Sequence, residues 1–150
     1  MNLKRLAGIL MFALLYCNIG NTQAKDDKFY YESDTINFIV TKEKGGEEVL
    51  RKPVGKSVLI IYDKFFKSYS ISYLNEDGKA EFFDLKYNPE FKGSEIKNAF
   101  RMEDSHGNTW YILDQLNSLG RLKILDARLR NDGLVPWFII EYAKPTDIKN

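Results

Sequence analysis

The sequence predicts an all-β protein: one antiparallel β-barrel or β-sandwich of about seven to nine short strands, set behind an N-terminal export signal. Three observations carry this. Beyond residue 24 the chain holds nine Phe, eight Tyr and two Trp, grouped in short runs with β-branched neighbours, a composition that suits a pleated, half-buried surface. Clusters of Asn, Asp, Gly and Ser interrupt those runs about every ten residues. In Ser68–Tyr73 (SYSISY) polar and apolar residues alternate strictly. Tyr69, Ile71 and Tyr73 thus share one face, a period of two that no amphipathic helix produces.

The first element is the leader. Lys4 and Arg5 precede eleven uncharged residues, Leu6–Tyr16 (LAGILMFALLY). That length matches a secretory apolar core and falls well short of the about 20 residues a helix needs to cross a bilayer. The polar stretch after it ends in Thr22-Gln23-Ala24, with small residues at the first and third places before the cut, as signal peptidase requires. Cleavage after Ala24 is expected, leaving residues 25–150 as a single β-rich domain. Lipid attachment at Cys17 is the rival processing. Leu14 stands three residues before the cysteine, as in a lipoprotein signal, but Tyr16 is bulky where such signals carry Gly, Ala or Ser. The expected location is the periplasm, the cell envelope or the exterior, with no transmembrane span in the mature chain.

The strands then follow in order. Thr35–Lys42 (TINFIVTK) runs to the Gly45-Gly46 turn, and Ser57–Asp63 (SVLIIYD), apolar on both faces, belongs centrally in a sheet or under a second layer. Ser68–Tyr73 pairs with Ala80–Asn88 across Asn75-Glu-Asp-Gly78, where Gly78 supplies the positive φ of the turn. Ile96–Glu103 and Thr109–Leu116 flank Asp104–Asn108 (DSHGN) as another hairpin. Arg121–Arg130 reads as a strand, although Leu116, Leu119, Leu122, Leu125 and Leu129 recur at helical spacing and keep a helix over 116–130 open. Leu134–Ala143 closes the set after Asn131-Asp-Gly133. Pro136 cannot donate to a ladder and places that strand's start at a sheet edge. Asn88–Gly93 is the longest turn-rich break and is too short to divide domains.

Composition excludes several function classes. Without the leader the chain carries 20 basic against 21 acidic residues with the signs interspersed, so it lacks the electrostatic footprint of a nucleic-acid binder. The lysines among the aromatics of Asp63–Tyr69 suit a half-exposed strand better than a base-stacking platform. Cys17 is the only cysteine, so the chain is free of internal disulfides and, once cut, offers no thiolate for catalysis or metal binding. A domain of this size buries enough surface to need no staple.

Individual motifs resolve to turns. Gly55-Lys56-Ser57 ends like a phosphate loop, but the glycine such a loop needs five residues earlier is Leu50, and Lys52–Ser57 is read as a turn. His106 is the only histidine and lies within turn composition. A lone imidazole gives at most one ligand, so no metal and no cofactor is expected. Asn75–Gly78 and Asn131–Gly133 lack the spaced oxygens and closing Glu of a calcium loop.

The aromatics Tyr62, Phe66, Tyr69, Tyr73, Phe83, Tyr87 and Trp110 either fill the core or line a binding surface. Phe65 beside Phe66, and Phe82 beside Phe83, load both faces of their strands and call for a second layer, a lumen or a partner. The strand count is that of small up-and-down barrels such as lipocalins. Their Gly-x-Trp signature near the start is missing, the tryptophans being Trp110 and Trp137. The function expected is a binding or interaction protein that holds an apolar small molecule, a glycan or one protein partner through aromatic side chains. The alternatives are a secreted hydrolase using carboxylates with His106, and an inhibitor or immunity-type protein bound to an envelope enzyme. No catalytic, metal or particular ligand-binding set stands out.

Overall fold

The computed structural model describes residues 27–88 and 96–148. The expected export signal, Cys17 and the cleavage site at Thr22–Ala24 lie outside the described residues, as does most of the Asn88–Gly93 break. The strands are β1 Lys28–Lys42, β2 Glu48–Asp63, β3 Ser68–Asn75, β4 Ala80–Tyr87, β5 Phe100–Glu103, β6 Thr109–Gln115, β7 Arg121–Asp126, β8 Leu134–Ile140 and the two-residue β9 Lys144–Pro145. One turn of helix, α1 (Leu116–Leu119), joins β6 to β7, and a 3-10 turn over Ala127–Leu129 follows β7.

Each strand from β1 to β8 pairs antiparallel with its sequence neighbour. β8 then returns to pair with β1 over Ile36–Lys42. Of the two architectures the sequence allows, the chain adopts the closed eight-stranded barrel, with β9 added beside Tyr31 and Glu32 of β1. Closure abolishes most of the edges that an open sheet exposes. One end of the barrel carries α1 together with the start of β1 and the β2–β3 turn. The other carries the Gly45-Gly46 turn and Asp104–Asn108.

Strand alternation sends two apolar sets in opposite directions. Inward go Tyr31, Ile36, Ile60, Tyr69, Ile71, Leu85, Met102, Trp110, Ile112, Leu122, Ile124 and Ile140. Phe83 sits among them, its ring 5.9 Å from Tyr73, 5.5 Å from Trp110 and 5.2 Å from Phe138. An eight-stranded barrel is just wide enough for side chains to fill, and here rings fill it. A second apolar cluster forms on the outer face of β1 and β6–β8, from Ile39, Tyr111, Leu125, Trp137 and Ile139, packed against Ile96, Ala99 and Ala127. The two-sided apolar loading inferred from sequence exists at Phe82 and Phe83 of β4, and more extensively on β6–β8.

Several expectations need correction. Phe65 and Phe66 do not load a strand: they sit in the Lys64–Lys67 turn, where the Phe66 amide donates to Asp63 at 3.0 Å. Lys52–Ser57 is strand, not turn. Pro53 falls at the register shift between Ile36 and Asn37 of β1, where a bulge spares the ladder. Gly55 lies under the Tyr73 ring, so close that an added Cβ would stand 2.3 Å from Tyr73 Cδ2. Ile96–Ala99 does not join β5, whose strand begins at Phe100; those residues pack on the outer cluster instead.

The leucines of 116–130 form neither one strand nor one helix face. Leu122 points into the barrel, Leu125 into the outer cluster, and Leu119 and Leu129 to solvent. The start of β8 is a local sheet edge, as Pro136 requires. The first half of the strand, Pro136 included, pairs with β1 alone, and β7 joins it only from Phe138 onward, so the missing proline N–H finds a place without a second ladder.

Candidate functional site

The α1 end of the barrel gathers the features that rise above core packing. Tyr62 stacks on Tyr69 at 4.8 Å and on Phe29 at 6.2 Å. These rings meet because Phe29, Tyr62 and Tyr69 are register partners on β1, β2 and β3. With Lys67, Tyr87, Phe100 and Met102, Tyr62 and Tyr69 line a cavity of about 180 Å³ open to solvent. Lys67 reaches over it, its ammonium 5.3 Å from the Tyr87 ring centre.

Beneath the rings lies a carboxylate. Along β6 the inward phase runs Trp110, Ile112, Asp114, so the alternation that buries a tryptophan carries Asp114 inward too. The Tyr69 hydroxyl donates to the Asp114 carboxylate, which also accepts the Leu116 amide at 2.9 Å and so anchors the start of α1. The Tyr31 hydroxyl donates to Asn117 Oδ1 at 2.8 Å. Burial first, and then the Asp114 charge, pushes the Tyr31 and Tyr62 hydroxyls above the ordinary phenol range. Burial and the bond to Asp114 push Tyr69 far above it. All three stay neutral donors at physiological pH.

Exposed phenylalanines stand at this end of the barrel, and Phe100 lines the cavity itself. Phe65 is 73 % exposed, Phe66 67 % and Phe100 52 %, and Phe29 stands partly open beside them. Two larger clefts, each of about 450 Å³, lie elsewhere. One runs between Ser68–Ser70, Asp84–Lys86 and the Glu103–Ser105 turn; the other is lined by Glu32–Asp34, Ser57–Leu59, Tyr142 and Lys144. Both are open grooves, the first with a mainly apolar lining and the second with a mainly polar one.

Of the aromatics singled out from sequence, Tyr62, Tyr69 and Tyr87 line the cavity, and Tyr73, Phe83 and Trp110 pack inside the barrel. Phe66 alone stands out in solvent. His106 lies at the opposite end, in an exposed turn. Asp104 there accepts the backbone amides of His106 and Asn108, the Asn108 side-chain amide and the Trp110 indole N–H. Partial removal from water pushes the Asp104 carboxyl up, and those four hydrogen bonds outweigh it and hold the group well below the usual carboxylate range. The carboxylate thus binds the histidine's backbone and not its ring, whose Nδ1 meets only Ser105 Oγ at 3.4 Å, so nothing orients an imidazole base. Among the described residues no group of His, Asp and Glu is arranged to hold a metal ion.

Phe29, Tyr31, Lys67, Phe100 and Asp114 were not visible as site residues from sequence. The one available signal was Asp114, a charge on the inward phase of an otherwise apolar strand. Comparison with protein-family models, curated proteins and solved structures finds no match to this chain.

Proposed function

We propose that this is an exported, non-enzymatic interaction protein that grips a protein partner with the aromatic end of its barrel. The observation that carries the reading is a ring-sized cavity lined by Tyr62, Tyr69, Tyr87 and Phe100, at an end of the barrel where Phe65 and Phe66 are exposed as well. A cavity of about 150 Å³ lined by apolar side chains accepts one benzene, whereas small-molecule sites run to about 300–1,000 Å³. The present cavity, about 180 Å³, suits one inserted side chain, not a lipid. The exposed rings argue against a glycan. Phe29, Phe65, Phe66 and Phe100 offer no hydrogen-bonding tip, and the Tyr31 and Tyr69 hydroxyls are already engaged, so sugar hydroxyls would lose water without replacement. An apolar anchor in a pocket, ringed by contacts that exclude water, is the usual anatomy of a protein–protein hot spot. Export is supported by the leader pattern and by a barrel whose first strand opens just past the expected cut.

The test is site-directed photo-crosslinking in the producing cell. A photoreactive phenylalanine analogue replaces Phe66, Phe100 or, as the control on the outer wall of β4, Phe82. One and the same protein joined from positions 66 and 100 but not from 82 supports the reading. Equal capture from all three, or none from the first two, refutes it.

A further inference from the structure

The barrel wall has a split. β4 meets β5 through two residue pairs only, Lys86 with Glu103 and Tyr87 with Met102. The rest of β4, Ala80–Leu85, pairs with β3 on one side and with no described strand on the other. Alternate N–H and C=O groups of those six residues thus face the split. The open edge is about 20 Å long at a strand's rise per residue, and at its Leu85 end lies the groove lined by Ser68–Ser70, Asp84–Lys86 and Glu103–Ser105. Phe82 stands 67 % exposed on the outer wall.

We infer that this edge accepts an extended basic segment of another protein as an added strand. Charge selects the occupant. Glu76, Asp77, Glu81, Asp84, Glu103 and Asp104 border the split, against Lys79 and Lys86. Asp104 keeps its charge because four donors hold it. A second copy of the chain is disfavoured by the same residues. Two β4 edges brought together would place two copies of this acidic border side by side, and like charges across a ladder destabilise it. An incoming strand with lysine or arginine on alternate residues replaces that repulsion with attraction, while its backbone completes the ladder that β5 leaves short. The proposal is independent of the aromatic end.

Three capped octapeptides serve as probes for the intact mature chain. One alternates lysine with threonine and valine; one has glutamate in place of every lysine; one keeps the lysines but carries two central prolines. Amide exchange and chemical shifts are read by NMR. The basic peptide is expected to slow exchange across Ala80–Leu85 by about tenfold once nine-tenths of sites are filled, and to lose its hold as salt rises. The glutamate peptide and the proline peptide are expected to leave those amides unchanged. Charge reversal of two exposed side chains, Glu81→Lys with Asp84→Lys, leaves the fold intact and should transfer the protection to the glutamate peptide. Equal shifts with the proline peptide would reduce the effect to charge alone and overturn strand addition. Protection of Ala80–Leu85 that rises with protein concentration without peptide would assign the edge to a second copy instead.

Discussion

Phe82 and Phe83 are chain neighbours on opposite faces of one strand, and truncating each to alanine tests the barrel's register directly. Phe83 packs against Tyr73, Trp110 and Phe138, with ring centres between 5.2 and 5.9 Å. Phe82 projects from the outer wall, 67 % exposed. Removing a core phenylalanine costs about 3–5 kcal/mol. Phe83 is only half-buried, which places Phe83→Ala near the lower figure, about 3 kcal/mol. A domain of this length has about 6–18 kcal/mol in total, so the loss is substantial, and the midpoint of thermal unfolding should fall by about 10–15 °C. Phe82→Ala removes contacts that water largely replaces and should stay within about 0.5 kcal/mol. Urea titration followed by tryptophan fluorescence and by far-ultraviolet circular dichroism measures both variants, and coincident curves license the two-state treatment. Equal losses, or a larger loss for Phe82→Ala, would mean that β4 is placed one residue out of register, with its faces exchanged.

Tyr69→Phe deletes the donor to the Asp114 carboxylate and is expected to cost about 1.5–3 kcal/mol, the range for a hydrogen bond to a charged group, read by the same titration. Gly55→Ala should destabilise by about 1–3 kcal/mol, because the added Cβ meets the Leu74 carbonyl at 2.7 Å as well as the Tyr73 ring, and the backbone contact forces β2 and β3 apart. Toward acid the Asp104 carboxyl, held low by its hydrogen bonds, contributes stability that is present above its unfolded value of about 3.9 and lost as pH falls through its folded value. Asp104→Asn should therefore flatten the acid limb of a stability–pH curve; an unchanged limb would contradict that role. Toward alkali the sign reverses for Tyr31, Tyr62 and Tyr69. Their raised values mean that stability is full below the ordinary phenol range and lost above it. Phenolate absorbance from these three should emerge only together with unfolding.

Much of the barrel was legible because strands write their pattern locally. Tyr69, Ile71 and Tyr73 fall inward as the alternation dictates, and Gly78 (φ +76°) closes the β3–β4 turn where a positive φ is needed. Illegible were the features set by distant pairing. Lys52–Ser57 carries a proline and a glycine that look like a turn, and only the β1 bulge and the Tyr73 ring explain why a strand uses them. The leucines from 116 to 129 mimic a helical stripe because two inward positions, one outward position and two exposed ones happen to share that spacing. The aromatic end was out of reach for the same reason. Phe29, Tyr62, Tyr69 and Phe100 come from four strands, and their meeting is decided by barrel closure, which no short window records.

The most direct test of the aromatic end is the dissociation constant of the crosslinked partner, purified and measured against the intact chain and three single variants. Phe66→Ala and Phe100→Ala should each weaken binding by about 30-fold or more, the scale of a hot-spot residue, while Phe82→Ala should leave it within about twofold. Unchanged affinity in the first two, or a loss at position 82 as large as theirs, would contradict an interaction site at the mouth of the barrel.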